Sequence, residues 1–294
     1  MYIGNPHNKK EWASIPVLPL DIFYLYISFW NSGKLTANWG DGNIEDLTPD
    51  VMTDATIGTP AVLTHNYSPK YNGDILISPT GGLKKVYSLS LFGGSGTDNR
   101  NRLNIDDFGE FINQFPNLYS LNIIIYNYSD PTWQGIVSGS LEEIPNSLKR
   151  YRIKTLSVVG AKATLNINNF SPDSQLEWLF IEVPTGTANQ SVPRSGNLRN
   201  LPPNLNYFRD TQQSNFASYS YTGGRVWRSD FDTFYIQNFI LSDSENDALL
   251  NDLANSVTSA VGDKIIRLRG ARTSASDSAV LYLQGLGFTV TIVA

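Results

Sequence analysis

The sequence predicts a β-rich α/β chain: an extended arm over residues 1–19, an all-β domain over 20–80, and an irregular solenoid of repeats over 81–294 that closes in helical units. Three observations carry that expectation. A short apolar pattern recurs seven times after residue 83, as Val86-x-x-Leu89-x-Leu91, Leu118-x-x-Leu121-x-Ile123, Ile153-x-x-Leu156-x-Val158, Leu176-x-x-Leu179-x-Ile181, Leu205-x-x-Phe208, Phe231-x-x-Phe234-x-Ile236 and Ile265-x-x-Leu268. A unit of that size cannot bury its apolar face alone, so it stacks on its neighbours and builds one broad sheet. Before residue 80 the apolar residues fall in strands separated by turn residues, and after residue 241 two helices carry readable start signals.

The arm holds Pro6, Pro16 and Pro19 around an isolated Trp12. Proline removes a backbone donor and fixes φ, which disfavours helix and keeps the stretch extended. Two readings stay open: an assembly arm that docks on a partner chain through Trp12, or a tail packed on its own domain through Trp12, Ile15 and Leu18. Leu20 to Trp30 is a strand apolar on both faces, Leu35, Ala37 and Trp39 alternate as a half-buried strand, and Asp41-Gly42 supplies a tight reversal. Strands follow at Ala61 to Tyr67 and Asp74 to Ser78. The run Asn38-Trp39-Gly40-Asp41-Gly42, then His65-x-Tyr67, then Gly73 before a strand, resembles the W-G-D-G and H-x-Y signature of PKD-like β-sandwich domains. That resemblance implies a sandwich used as a spacer or adhesive module.

The periodicity changes at Thr80-Gly81-Gly82, which sets the domain boundary. Asp106 to Gln114 places Phe108, Phe111, Ile112 and Phe115 at helical spacing, with acids in the first turn where the helix dipole favours them; this helix covers the convex side. Phe115-Pro116-Asn117-Leu118, Ile144-Pro145-Asn146-Ser147-Leu148 and Leu201-Pro202-Pro203-Asn204-Leu205 resemble the L-P-x-x-L lead-ins of bacterial leucine-rich repeats. The third unit fits two registers. One exposes Thr155 and Ser157; the other, Leu148-x-x-Tyr151-x-Ile153, exposes Arg150 and Arg152. At the C-terminus Ser242-x-x-Glu245 is a capping box for a helix with Leu249, Leu253 and Val257 on one face, and Ser274-x-x-Asp277 starts a second that turns Val280 and Leu283 inward. Gly287 ends it, and Phe288, Val290 and Ile292 alternate as a final strand. The phrase from Leu283 through Gly287-Phe288 to Val290 resembles the closing unit of repeat proteins in Bacteroidota and their phages.

Composition narrows the function. With 41% hydrophobic residues among 294 the chain can bury a substantial core, and a formal charge of −5 gives no general attraction to nucleic acid or anionic lipid. No cysteine is present, so disulfides and thiolate metal sites are excluded. The N-terminus lacks the apolar stretch of a secretory signal, and Leu20 to Trp30 falls far short of the roughly 20 residues that span a bilayer. Both point to synthesis in a cytoplasm without membrane insertion.

No catalytic set, metal site or cofactor motif is expected. Only His7 and His65 occur, and His65 already has a place in the H-x-Y strand. Asp41, Asp46 and Asp50 lack the spacing of a calcium loop and read as turn caps. Glu142-Glu143, Asp106-Asp107 and Asp230/Asp232 are the acids that could face each other as a glycosidase pair, and each reads more simply as a helix-start or loop acid.

Side chains alternate across a strand, so residues between the repeat leucines project from the opposite face. In the later units these are Trp178 and Phe180, Tyr207 and Arg209, Thr233 and Tyr235, and Arg267 and Arg269, after the smaller Ser88, Ser90, Ser120 and Asn122. One row is expected to run Phe180, Arg209, Tyr235, Arg269. It is either a contact surface or a self-satisfied ladder of guanidinium on ring.

These features, with the three resemblances, imply a non-enzymatic bacteriophage virion protein: a fibre, spike or capsid-decoration component that attaches to other virion proteins and to a host-surface glycan or protein, alone or as a homo-oligomer. The rivals are a bacterial cell-surface adhesin and, less favoured, a glycan-degrading enzyme.

Overall fold

The computed structural model describes residues 12–30, 34–47, 51–52, 61–93, 103–125, 136–155, 163–182, 192–212, 214–259 and 261–293. It is strand-rich, with mixed sheets and few helices, in keeping with a β-rich α/β class. Five strands come first: β1 (Ala13–Trp30), β2 (Leu35–Asn38), β3 (Ile44–Leu47), β4 (Val51–Met52) and β5 (Ala61–Pro79). Next come β6 (Val86–Gly93), β7 (Asn104–Ile105), helix α1 (Phe108–Ile112), β8 (Ser120–Ile125), β9 (Ile136–Val137), β10 (Gly139–Ser140), β11 (Arg150–Thr155) and β12 (Ala163–Asn166). The chain continues through β13 (Trp178–Glu182), β14 (Arg194–Asn197), β15 (Tyr207–Asp210), β16 (Ala217–Ser220), β17 (Thr233–Ile236), α2 (Asp243–Ser256), β18 (Ile265–Arg269), α3 (Asp277–Gly285) and β19 (Thr289–Val293).

One long sheet runs through both halves, in the order β19-β18-β17-β15-β13-β11-β8-β6-β1-β5-β2-β3, with β4 also paired to β1. From β6 to β19 all pairings are parallel and follow chain order. The strand β1 joins the halves, antiparallel to β6 on one side and to β5 on the other. Along this continuous sheet the pairing changes from antiparallel to parallel at β6, between its β1 and β8 sides. All described N-terminal strands lie in that sheet.

Between its long-sheet strands the chain crosses to a second layer, the parallel sheet β10-β12-β14-β16, and β7 pairs with β9. Alternation decides which side chains fill the space between the layers. Leu121, Ile123, Tyr151, Ile153, Leu179, Ile181, Phe208 and Phe234 are buried, and they join Ala163 and Leu165 of β12 and Tyr219 of β16 in one cluster. Each such aliphatic side chain contributes about 1.5–3 kcal/mol by leaving water. The rungs are also stitched along their edge: the carbonyl of Lys149 accepts from the backbone N–H of both Glu177 and Trp178, and that of Glu177 from Asn206 and Tyr207. The lead-in polar residues act there too, since Asn117 donates to the Lys84 carbonyl, Ser147 to those of Pro116 and Leu118, and Asn204 to that of Ser174.

The helices follow their sequence signals in large part. Asp107 caps α1, which buries Phe108, Phe111 and Ile112 and contacts β10 of the second layer. The Ser242 and Glu245 capping box opens α2, with Leu249, Leu253 and Val257 buried. At α3 the expected Ser274-x-x-Asp277 start is corrected: Thr273 accepts from the N–H of Ala275 to cap a 3-10 turn, and α3 continues from that turn without a side-chain cap of its own.

Of the two readings left open for the N-terminal arm, residues 13–19 take the second, packing on the chain's own sheet. From Ala13 the chain is part of β1, paired to β5 through Ala13↔Ile77 and Ile15↔Ile75, with Ala13, Ile15 and Val17 buried. Residues 13–19 thus belong to the body of the fold. Trp12 stands half-buried at the start of that strand, and residues 1–11 lie outside the described residues.

Within the W-G-D-G segment, the fully buried Trp39 stacks on His65 at 4.7 Å between centroids, and Tyr67 donates to the Trp39 carbonyl at 3.1 Å. His65 Nε2 lies 2.9 Å from Asp41 Oδ2. Burial raises the Asp41 carboxyl, but its bonds from His65 and Asn43 outweigh this and leave it below its ordinary value. Gly40 has φ +83° and sits against the Tyr71 ring, where a Cβ would fall 1.9 Å from the hydroxyl.

Candidate functional site: the outer face of the long sheet

The face of the long sheet turned away from the core carries the side chains singled out from the sequence. Hydrogen-bonded register fixes the rows. One row reads Ser90, Asn122, Arg152, Phe180, Arg209, Tyr235, Arg267, Thr291, and a second reads Ser88, Ser120, Arg150, Trp178, Tyr207, Thr233, Ile265, Thr289.

Two expectations are settled by that register. The third unit uses Leu148-x-x-Tyr151-x-Ile153, so Arg150 and Arg152 occupy the face. On β18 the main row takes Arg267 instead of Arg269, because Ile266 and Leu268 are the buried residues of that strand and Tyr235 pairs with Arg267. Arg269 projects from the same face two residues further along its strand. Thr233 is buried, which removes it from the exposed set.

Guanidinium and ring alternate along the main row. The guanidinium carbon of Arg152 lies 5.5 Å from the Phe180 centroid, Arg209 is 5.0 Å from Phe180 and 4.7 Å from Tyr235, and Arg267 is 5.4 Å from Tyr235. Both rings are thus flanked by cations along the row, the guanidinium-on-ring arrangement that was one of the two readings left open for it. Beside them Trp178 stacks on Tyr207 at 5.0 Å and meets Phe180 edge-on at 5.4 Å. Burial raises the Tyr207 hydroxyl above its ordinary value, although Arg209 hydrogen-bonds to it and opposes that rise. All seven of Trp178, Phe180, Tyr207, Arg209, Tyr235, Arg267 and Arg269 are half-buried and share this face.

The charge on the face is one-sided. Outward positions of β11 to β18 carry Arg150, Arg152, Lys154, Arg209, Arg267 and Arg269, against the single acid Glu182. Glu182 takes Arg152 at 2.6 Å and Lys154 at 3.3 Å. Among the described residues no carboxylate lies within ion-pair distance of Arg209, Arg267 or Arg269. Acids gather at the strand-start edge, where Asp232 accepts from the Lys264 N–H and Glu177 pairs with Lys149 at 3.0 Å.

Sequence reasoning missed Lys154 and Glu182 and left Arg152 undecided. The lead-in held the missing signal: Leu118, Leu148 and Leu205 each donate back to the residue three before, closing the same turn, so Leu148 marks the third unit's entry as Leu118 marks the second's.

Four of the six acids weighed as a glycosidase pair, Glu142, Asp107, Asp230 and Asp232, have structural partners. Glu142 is buried and accepts from the Asn166 N–H and Asn169 Nδ2, both at 3.1 Å; Asp107 caps α1; Asp230 is bound to Arg228 at 2.7 Å. Glu142 also borders a cavity of about 540 Å³ on the second layer, beside Ser140, Asn166 and Ser195. Asp41 is held by His65 and Asp46 accepts from Thr36 at 2.7 Å, while Asp50 lies outside the described residues. Among the described residues no three His, Asp or Glu side chains cluster as a metal site, and no helix is long and apolar enough to cross a membrane.

Compared with known proteins, the chain matches no family model, no curated protein and no solved structure.

Proposed function

We propose that this chain is a non-enzymatic attachment protein of a bacteriophage virion, a fibre, spike or decoration component in which a PKD-like module leads into an irregular leucine-rich-repeat solenoid. The observation that carries the reading is the uninterrupted long sheet, which sets an arginine and aromatic row on a broad face whose one outward acid, Glu182, is taken by Arg152 and Lys154. Such a face has the composition of a binding surface, rich in Trp, Tyr and Arg. Its partners in this role are other virion proteins and the host surface.

Mass spectrometry of purified particles tests the virion assignment. Recovery of the chain at a fixed copy number supports it, whereas recovery only from the bacterial envelope transfers the chain to a cell-surface adhesin. Release of reducing sugar from host polysaccharide by the purified chain would overturn the non-enzymatic reading.

A further inference from the structure

We infer that the outer face of the long sheet binds an acidic polysaccharide laid across the strands, with carboxylate or sulfate groups on the Arg152, Arg209 and Arg267 row. The inference rests on the attachment reading and gives that surface a ligand class.

Charge comes first. The chain has a formal charge of −5, yet this face carries six cations and one acid, so positive potential is concentrated on one side of an otherwise acidic molecule. Arg152 already has Glu182, whereas Arg209 and Arg267 have no carboxylate partner among the described residues, and the intervening rings relieve that charge only in part. An anionic polymer supplies the missing counter-charge.

Geometry narrows the polymer. Parallel rungs lie about 4.8 Å apart, and Arg152, Arg209 and Arg267 stand on every second rung, so successive guanidiniums recur at about 9–10 Å. That interval suits a charge on alternate sugars of an extended chain. Guanidiniums set against Phe180 and Tyr235 have lost much of their rotational freedom, and a guanidinium held by its flat face can offer its terminal amino groups as a fork to an anion. Pre-ordering of this kind lowers the cost of binding. Single-stranded nucleic acid is the less fitting polyanion. Its bases bind by stacking on open rings, and here Phe180 and Tyr235 lie between arginines while Trp178 stacks on Tyr207.

The test is titration of the full chain with three size-matched probes: hyaluronan oligosaccharides, which carry a carboxylate on alternate sugars, neutral dextran oligosaccharides, and oligo-dT. The expected result is saturable hyaluronan binding that weakens with salt, no dextran binding, and at least tenfold weaker oligo-dT binding. Arg209→Gln with Arg267→Gln should reduce hyaluronan affinity at least tenfold, and Lys84→Gln, away from the row, should leave it unchanged. Thermal melting of each variant separates lost contacts from lost fold; should the double variant melt early, Arg267→Lys alone must still weaken binding, since lysine keeps the charge and loses the fork. Equal binding of dextran, preference for oligo-dT, absence of hyaluronan binding, or unchanged affinity in a folded double variant would each overturn the inference. Adhesion of the purified chain to host cells alongside a failed hyaluronan titration would sink this inference and leave the attachment reading standing.

Discussion

The antiparallel and parallel halves of the long sheet reach the same buried interior by different means. In the antiparallel half, order depends on contacts between residues distant in sequence around one centre: Trp39 on His65, Tyr67 on the Trp39 carbonyl, and Tyr71 against Gly40. In the parallel half each rung repeats the last, and the carbonyls of Lys149 and Glu177 accept the same pair of donors one unit later. A single centre should fail as a whole, while a stack of similar rungs should fail locally.

Trp39→Ala and Phe208→Ala put that contrast to its largest test. Both residues are fully buried, and either truncation should cost about 3–5 kcal/mol. Hydrogen exchange should then differ in extent. Trp39→Ala should strip protection from β2, β3 and β5 together, and Phe208→Ala should loosen β13, β15 and β17 while sparing β6 and β8. Protection lost along the entire parallel half in the Phe208 variant would erase the distinction.

The outer-face row makes a smaller claim on stability. Phe180 and Tyr235 each lie between two guanidiniums, so Phe180→Ala or Tyr235→Ala should cost about 1–2 kcal/mol, two cation–π contacts at partly exposed sites. Chemical denaturation would measure it. A loss close to zero would mean that the row contributes nothing to the sheet and serves only as a surface.

Acid should separate the halves more gently. Asp41 titrates below its ordinary value in the folded chain, so the folded state binds fewer protons and the contribution of its bonds is present above about pH 4. It is lost as pH falls through the lowered value. The carboxylate is partly exposed, which keeps the effect modest. Asp41→Asn should flatten the acid limb of melting for the antiparallel half alone, read from Trp39 fluorescence in a background where the other tryptophans are replaced by phenylalanine. An unchanged acid limb would remove Asp41 as its source.

What could be read from the sequence follows the same division. The recurring leucine spacing marked the long-sheet strands of most units because each repeat presents the same pattern, and Phe180, Arg209 and Tyr235 fell on one row as expected. Register slipped where two apolar frames overlap, at Leu148 to Val158 and at Ile265 to Leu268, since a shift of one or a few residues still finds apolar partners. The arm stayed undecided for another reason. Pro16 and Pro19 correctly kept the chain extended, but proline is also accommodated in sheets at irregularities, and the register of β1 against β5 shifts between Val17 and Leu20. Partners for Ala13 and Ile15 came from Ile77 and Ile75, some sixty residues away, which no local pattern announces.

The smallest effect concerns the entrance to α3, where local sequence rules and the structure name different residues. Ser274-x-x-Asp277 has the spacing of a capping box, yet it is Thr273 whose hydroxyl accepts from the Ala275 N–H. Thr273 is also tied to the preceding helix, since its hydroxyl and N–H both bond to Asp247, which in turn receives the Ser276 hydroxyl at 2.6 Å. Thr273→Ala should therefore cost about 1 kcal/mol, the scale of a lost cap, and Ser274→Ala should stay within about 0.5 kcal/mol of the parent. Thermal melts of the two variants, side by side, decide between them. A larger loss at Ser274 would restore the capping box and remove Thr273 as the residue that fastens the last helix to α2.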